Sequence, residues 1–346
     1  MTNHVISRKE YLLAKLDSHT WLNAEKLECY AEVEEAGHFS QLHSYTHIWK
    51  GTSRRMKLAI AILGVSALAS GIPHFLNNFA AEDDDEEIGG VMDYLTGYGE
   101  KLYKQPNDEV GEMVKAWTPS SSTNPEELGT YVEGDILFPS GQKTRNGLKA
   151  KSARWPKGKV PYVYGSSFSE KDRSTIDAAI AEYHKMTCVR FVPRSNEADY
   201  LVFKSDNTGC WSSVGRVGGP QDINLQSPGC LVQKGTVMHE MMHALGFLHE
   251  QNRWERDDYV TINYANIQPG RENNFVKAEK SSTDALGITY DYGSVMHYSS
   301  TAFSINGQPT IVPKASTSDL GQRDSVSHHD VQKIRRMYKC KSKKSH

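Results

Sequence analysis

The sequence predicts an α+β fold. Three observations carry that reading. Strand-like runs rich in β-branched and aromatic residues gather between residues 160 and 204. Helical patterns interrupt them without the regular alternation that a doubly wound sheet needs. Beyond residue 245 the chain is loop-rich until a last helical pattern starts near Ser327.

Residues 160–164 (VPYVY) read as the opening strand. Residues 169–187 read as a helix, because Ser169 and Asp172 form an N-cap pattern and Ile176, Ala179, Ile180, Tyr183 and Met186 recur at helical spacing. Residues 189–192 and 200–204 read as two further strands, and residues 236–245 as the next helix. At Ser327 an S-x-x-D pattern precedes Val331, Ile334 and Tyr338, which predicts the final helix.

The first half of the chain has a different character. Residues 58–69 (LAIAILGVSALA) follow Arg54, Arg55 and Lys57 and end in a small-x-small pattern, the signature of a secretory signal peptide. An apolar run of about 12 residues falls short of the roughly 20 that a membrane-spanning helix needs, so no stable membrane anchor is expected. Met56 stands immediately before this run, which makes residues 1–55 an upstream extension, disordered or untranslated, and 56–71 the signal peptide. The alternative is a cytoplasmic tail with a signal anchor. Residues 82–87 (EDDDEE) read as a solvated spacer, and residues 118–125 (TPSSSTNP) as a loop.

Composition narrows the function classes. Of 346 residues, 38% are hydrophobic, enough for a core, and a formal charge of -2 argues against a nucleic-acid partner. Four of the five cysteines (Cys188, Cys210, Cys230 and Cys340) lie in the second half, an even set that suggests two disulfides and an oxidising compartment.

The run H-E-M-M-H-A-L-G-F-L-H at 239–249 carries the chemistry. On a helix, His239 and His243 fall on one face a turn apart and can reach one zinc ion. Glu240 is rotated by about 100° and sits beside the metal, placed to take a proton from water. Gly246 can turn the backbone out of the helix with positive φ, so that His249 returns to the same metal. Downstream, Met296 in S-V-M-H-Y at 294–298 supplies the methionine turn that a three-histidine zinc site calls for.

With these motifs the chain resembles the astacin family of metzincin endopeptidases. The likeness covers about residues 146–340 and includes T-C-V-R-F at 187–191, G-C-W-S at 209–212, H-E-Q-N-R at 249–253 and G-Q-R at 321–323. It implies a two-lobed zincin fold, with a twisted sheet and helices in the N-terminal lobe and a loop-rich C-terminal lobe closed by a final helix. It implies one zinc per chain, protein or peptide substrates and a secreted monomer. Tyr298 would be a further zinc ligand at rest and would donate to the oxyanion during catalysis. The disulfides would pair Cys188 with Cys340 and Cys210 with Cys230. Glu250 would contact the new N-terminus of the mature chain. Arg323 would line the pocket for the residue after the scissile bond, against the alternative of a surface arginine.

The resemblance also makes residues 72–145 a prosegment and 146–346 the catalytic domain. V-E-G-D-I at 132–136 is similar to the inhibitory F-x-G-D element, whose aspartate, here Asp135, binds zinc in the zymogen. Val132 stands where the family has phenylalanine, and Glu255 where it has aspartate. A trypsin-like activator is expected to cut after Arg145, leaving Asn146 first, with Lys149, Lys151 and Arg154 as competing sites.

Overall fold

The computed structural model describes residues 94–95, 97–138, 154–166, 168–280, 286–317 and 319–341. The upstream extension, the apolar run at 58–69, the acidic run at 82–87 and the expected cut after Arg145 lie outside the described residues. Among the described residues no helix is long and apolar enough to cross a membrane.

The first helix, α1 (Asp108–Ala116), starts where the Asn107 side chain accepts the Glu109 amide, and it buries Val110 and Val114. The sheet follows. Strands β1 (Lys159–Tyr164), β2 (Arg190–Pro193), β3 (Tyr200–Lys204), β4 (Cys210–Ser212) and β5 (Pro220–Leu225) lie in the order β2-β1-β3-β5-β4. β1, β2, β3 and β5 run parallel, and β4 runs antiparallel to β5 at the edge. Helix α2 (Glu170–Met186) joins β1 to β2; it is capped by Ser169, which accepts the Asp172 amide, and it turns Ile176, Ala179, Ile180 and Tyr183 inward. Helix α3 (Lys234–Ala244) is buried from Gly235 to its end. A helix with no wet face belongs in the middle of a core.

The predicted elements are present, and α1, β4 and β5 are additions to them. Beyond α3 the chain makes short 3-10 turns and a two-stranded ribbon of β6 (Val260–Ile262) and β7 (Ile311–Pro313). Helix α4 (His328–Met337) closes it behind a reciprocal capping box between Ser327 and Asp330. The apolar side chains form two clusters. The larger lies between the sheet, α2, α3 and α4; the smaller, with Val260, Phe275, Tyr298 and Phe303, belongs to the part beyond α3. The larger cluster also takes in Met296, Ile334 and Met337, so it ties the end of the chain to the sheet-bearing part.

Cys188 is bonded to Cys340 and Cys210 to Cys230. The first bridge spans 152 residues and ties the chain before β2 to the end of α4. From the segment before the sheet, Leu95, Leu102, Val110, Val132, Ile136 and Phe138 are all buried in the larger cluster.

Candidate metal centre

Helix α3 presents His239 and His243 on one face, as their spacing predicts, with ring centroids 4.7 Å apart. The helix ends at Ala244, and two residues on Gly246 takes a φ of 110°, open to glycine alone. The chain turns back there, and His249 comes to within 3.3 Å of His239, Nε2 to Nε2. Asp135 enters from the segment before the sheet. Its Oδ2 lies 3.0 Å from His239 Nε2 and 3.3 Å from His249 Nε2, and its Oδ1 lies 3.4 Å from His243 Nε2. All four side chains are buried.

This geometry fits a zinc ion. Ligands at about 2.0–2.1 Å from a tetrahedral centre stand about 3.3 Å from one another, close to the separations seen here. Two buried atoms in the group, Asp135 Oδ1 and His243 Nε2, have no hydrogen-bond partner, and a cation would satisfy both. Each imidazole is oriented through its other nitrogen: His239 Nδ1 donates to Val295 O at 2.7 Å, His243 Nδ1 to Phe247 O at 2.8 Å and His249 Nδ1 to Glu133 Oε2 at 2.7 Å. That pattern leaves the three Nε2 lone pairs free to face inward. Burial pulls the His239 pKa down to about 4, helped by the positive charge of Arg323. A neutral imidazole is what a metal needs.

Glu240 follows His239 in α3, and its carboxylate is buried with neither oxygen partnered. Burial raises its pKa well above the ordinary value, Asp135 and Glu126 push it further, and Arg323 opposes them. An unpaired, proton-avid carboxylate beside a metal site is suited to general base chemistry. The Tyr298 ring lies 4.6 Å from that of His249, centroid to centroid, and its hydroxyl donates to Glu133 O at 2.6 Å. Met296 is buried. Its turn is fastened by Asp330, which accepts from Ser294 Oγ at 2.6 Å and from the Val295 amide at 2.8 Å.

Glu250 binds Lys333 Nζ at 2.5 Å and Arg253 Nη1 at 2.7 Å. Arg323 is buried here against Glu126. Its Nε meets Glu126 Oε1 at 2.5 Å and its Nη1 donates to His297 O at 3.2 Å. Gly235 makes room for it: the Gly235 amide donates to Arg323 O at 2.8 Å, and a Cβ there would lie 2.0 Å from that oxygen. Next to Glu126, Glu127 accepts from the Ser299 amide and hydroxyl, both at 2.6 Å.

The segment that brings Asp135 also caps the sheet edge. Ile136 bridges to Ser212 of β4 in parallel, with Ser212 N donating to Asp135 O and Leu137 N donating to Ser212 O, both at 3.0 Å. Sequence reasoning missed Glu126, Glu127 and Glu133. The only signal for them was their nearness to Asp135, since acidic residues in a polar stretch read as solvated.

A buried His-His-His site with a free glutamate, set between a mostly parallel sheet and a methionine turn, defines a metzincin-type zinc protein. Residues 147–339 match the model of the Astacin peptidase family, and the chain belongs to that family. It is 43% identical over 222 residues to the zinc metalloproteinase nas-13 of Caenorhabditis elegans, across 64% of this chain and 49% of that protein. It is 40% identical over 227 residues to the low choriolytic enzyme of Oryzias latipes, across 63% of this chain and 81% of that enzyme. Among solved structures, the high choriolytic enzyme 1 of Oryzias latipes, a hatching enzyme zinc-protease, superposes with a TM-score of 0.50 at 41% identity, covering 54% of this chain and 94% of that one. The match spans about half or less of the length of several curated relatives, 49% of nas-13 and 34% of nas-15 from the same worm.

Proposed function

We propose that this chain is the precursor of a secreted zinc endopeptidase, held inactive by residues 72–145 and released by a trypsin-like cut. One observation carries the reading: Asp135 occupies the position facing all three histidines while its neighbours fill the edge of β4. A peptide substrate needs both places.

His239, His243 and His249 would hold the zinc throughout, with Asp135 a fourth ligand in the precursor. Zinc would supply Lewis acidity at the scissile carbonyl and make water a better nucleophile. Glu240 would accept the proton of the attacking water and pass it to the leaving amine. The Tyr298 hydroxyl now donates to Glu133 O. With that carbonyl gone it is free to turn toward the zinc at rest and to donate to the oxyanion in the reaction. The main-chain groups of Ser212, now paired with residues 135–137, would pair with an extended substrate. Arg323, released from Glu126, would receive an acidic side chain after the scissile bond.

The cut chain would begin at Asn146, and its new amino group would join the charged cluster at Glu250. Treating the full-length chain with trypsin, while following peptide hydrolysis and the mass of the product, tests the proposal. Activity is expected to rise as a form starting at Asn146 accumulates. An uncut chain as active as the cut one would contradict it.

A further inference from the structure

Two of the three acceptors that orient the histidines are main-chain carbonyls in the catalytic domain, Val295 O and Phe247 O. The third is different. His249 Nδ1 is held by the carboxylate of Glu133, 116 residues earlier and two positions before Asp135.

Glu133 is heavily provisioned for that contact. It is fully buried, and its φ of 50° is a left-handed conformation that a residue with a side chain rarely adopts. Its Oε1 accepts from Tyr94 Oη at 2.6 Å and from Tyr98 Oη at 3.2 Å, while Oε2 takes the His249 Nδ1 proton at 2.7 Å. Its backbone oxygen takes the Tyr298 hydroxyl. A buried carboxylate is costly without a cationic partner. A carboxylate–histidine–zinc relay provides one, since the imidazole passes the metal's charge to the outer acceptor.

We propose that Glu133 is a positioning residue for the zinc. It fixes His249 in the Nδ1–H form, makes Nε2 a stronger donor, and leaves with the prosegment. In the precursor this contact strengthens zinc binding beyond what Asp135 provides. The prosegment loads the metal as well as blocking it. This inference rests on the reading of His249 as a zinc ligand.

The test is competition for zinc between the full-length chain and a chromophoric chelator. Parent, Glu133→Ala, Glu133→Gln, Asp135→Ala and His249→Ala are compared. Glu133→Ala is expected to weaken zinc binding about 10–100-fold. Glu133→Gln should fall between it and the parent, because an amide oxygen still accepts the Nδ1 proton but carries no charge. If His249→Ala weakens binding while both Glu133 variants match the parent, Glu133 has no such role. If His249→Ala itself matches the parent, the ligand reading fails first. Should Glu133→Ala not fold, Glu133→Gln decides: weaker zinc binding with unchanged unfolding of the metal-free chain supports the relay, and unchanged zinc binding overturns it.

Discussion

Glu126 and Arg323 are 197 residues apart in sequence and form an ion pair that solvent does not reach. The pair joins the segment before the sheet to the loop before α4, next to the metal centre. Removing one partner of such a pair leaves a buried charge and costs about 3–5 kcal/mol. Glu126→Ala should therefore loosen residues 97–138 from the cleft. Limited proteolysis of that variant is expected to clip the segment at least ten times faster than in the parent; equal rates would show that the pair does not hold the segment in place.

Gly246→Ala should disturb the return of His249. The nearest atom to an added Cβ, Met337 Sδ, is 3.7 Å away, so the cost comes from the φ of 110° and not from a clash. Strain of that kind amounts to about 1–3 kcal/mol. A lower unfolding midpoint with reduced zinc content is the expected result, and a variant with parent-like zinc content would show that the turn tolerates a side chain.

The Cys210–Cys230 bridge closes a loop across 20 residues between β4 and the start of α3. A loop of that size corresponds to about 3 kcal/mol. The double Cys210→Ser, Cys230→Ser variant should lose roughly that much in denaturant unfolding under non-reducing conditions. No loss would mean that the pairing between β4 and β5 suffices.

His184 gives the fold one source of acid sensitivity. Burial, and then the charge of Arg190, lower its pKa below the ordinary 6.5. Its Nε2 accepts the Phe191 amide at 2.9 Å and so ties α2 to β2. The unfolded chain takes up the proton first, so this contribution is present above pH 6.5 and is lost as pH falls below it. Unfolding of the parent at about pH 7.5 and about pH 5.5, on either side of that value, should show a drop that His184→Gln reduces, since an amide oxygen accepts the same proton at either pH. Equal drops would assign the sensitivity elsewhere.

Legibility in the sequence followed local chemistry. The helix capped by Ser169 and the helix capped by Ser327 could be read because an N-cap and an apolar stripe lie within a few residues of each other. The histidine spacing of α3 was legible for the same reason. β5 was not, because Pro220-Gln221-Asp222 hides a strand whose burial comes from β3 and β4 on either side. The roles of Glu126 and Glu133 were invisible because each is defined by a partner more than a hundred residues away. Their acidity reads as a wet surface until the fold places Arg323 and His249 against them.

Glu240 is a buried carboxylate without a hydrogen-bond partner, adjacent in α3 to His239. Its most direct test compares trypsin-cut parent and trypsin-cut Glu240→Gln for zinc content and peptide hydrolysis. The predicted result is one zinc in both and a fall in hydrolysis of at least about 10²–10⁴-fold in the variant. Hydrolysis that survives the change, with zinc in place, would contradict it.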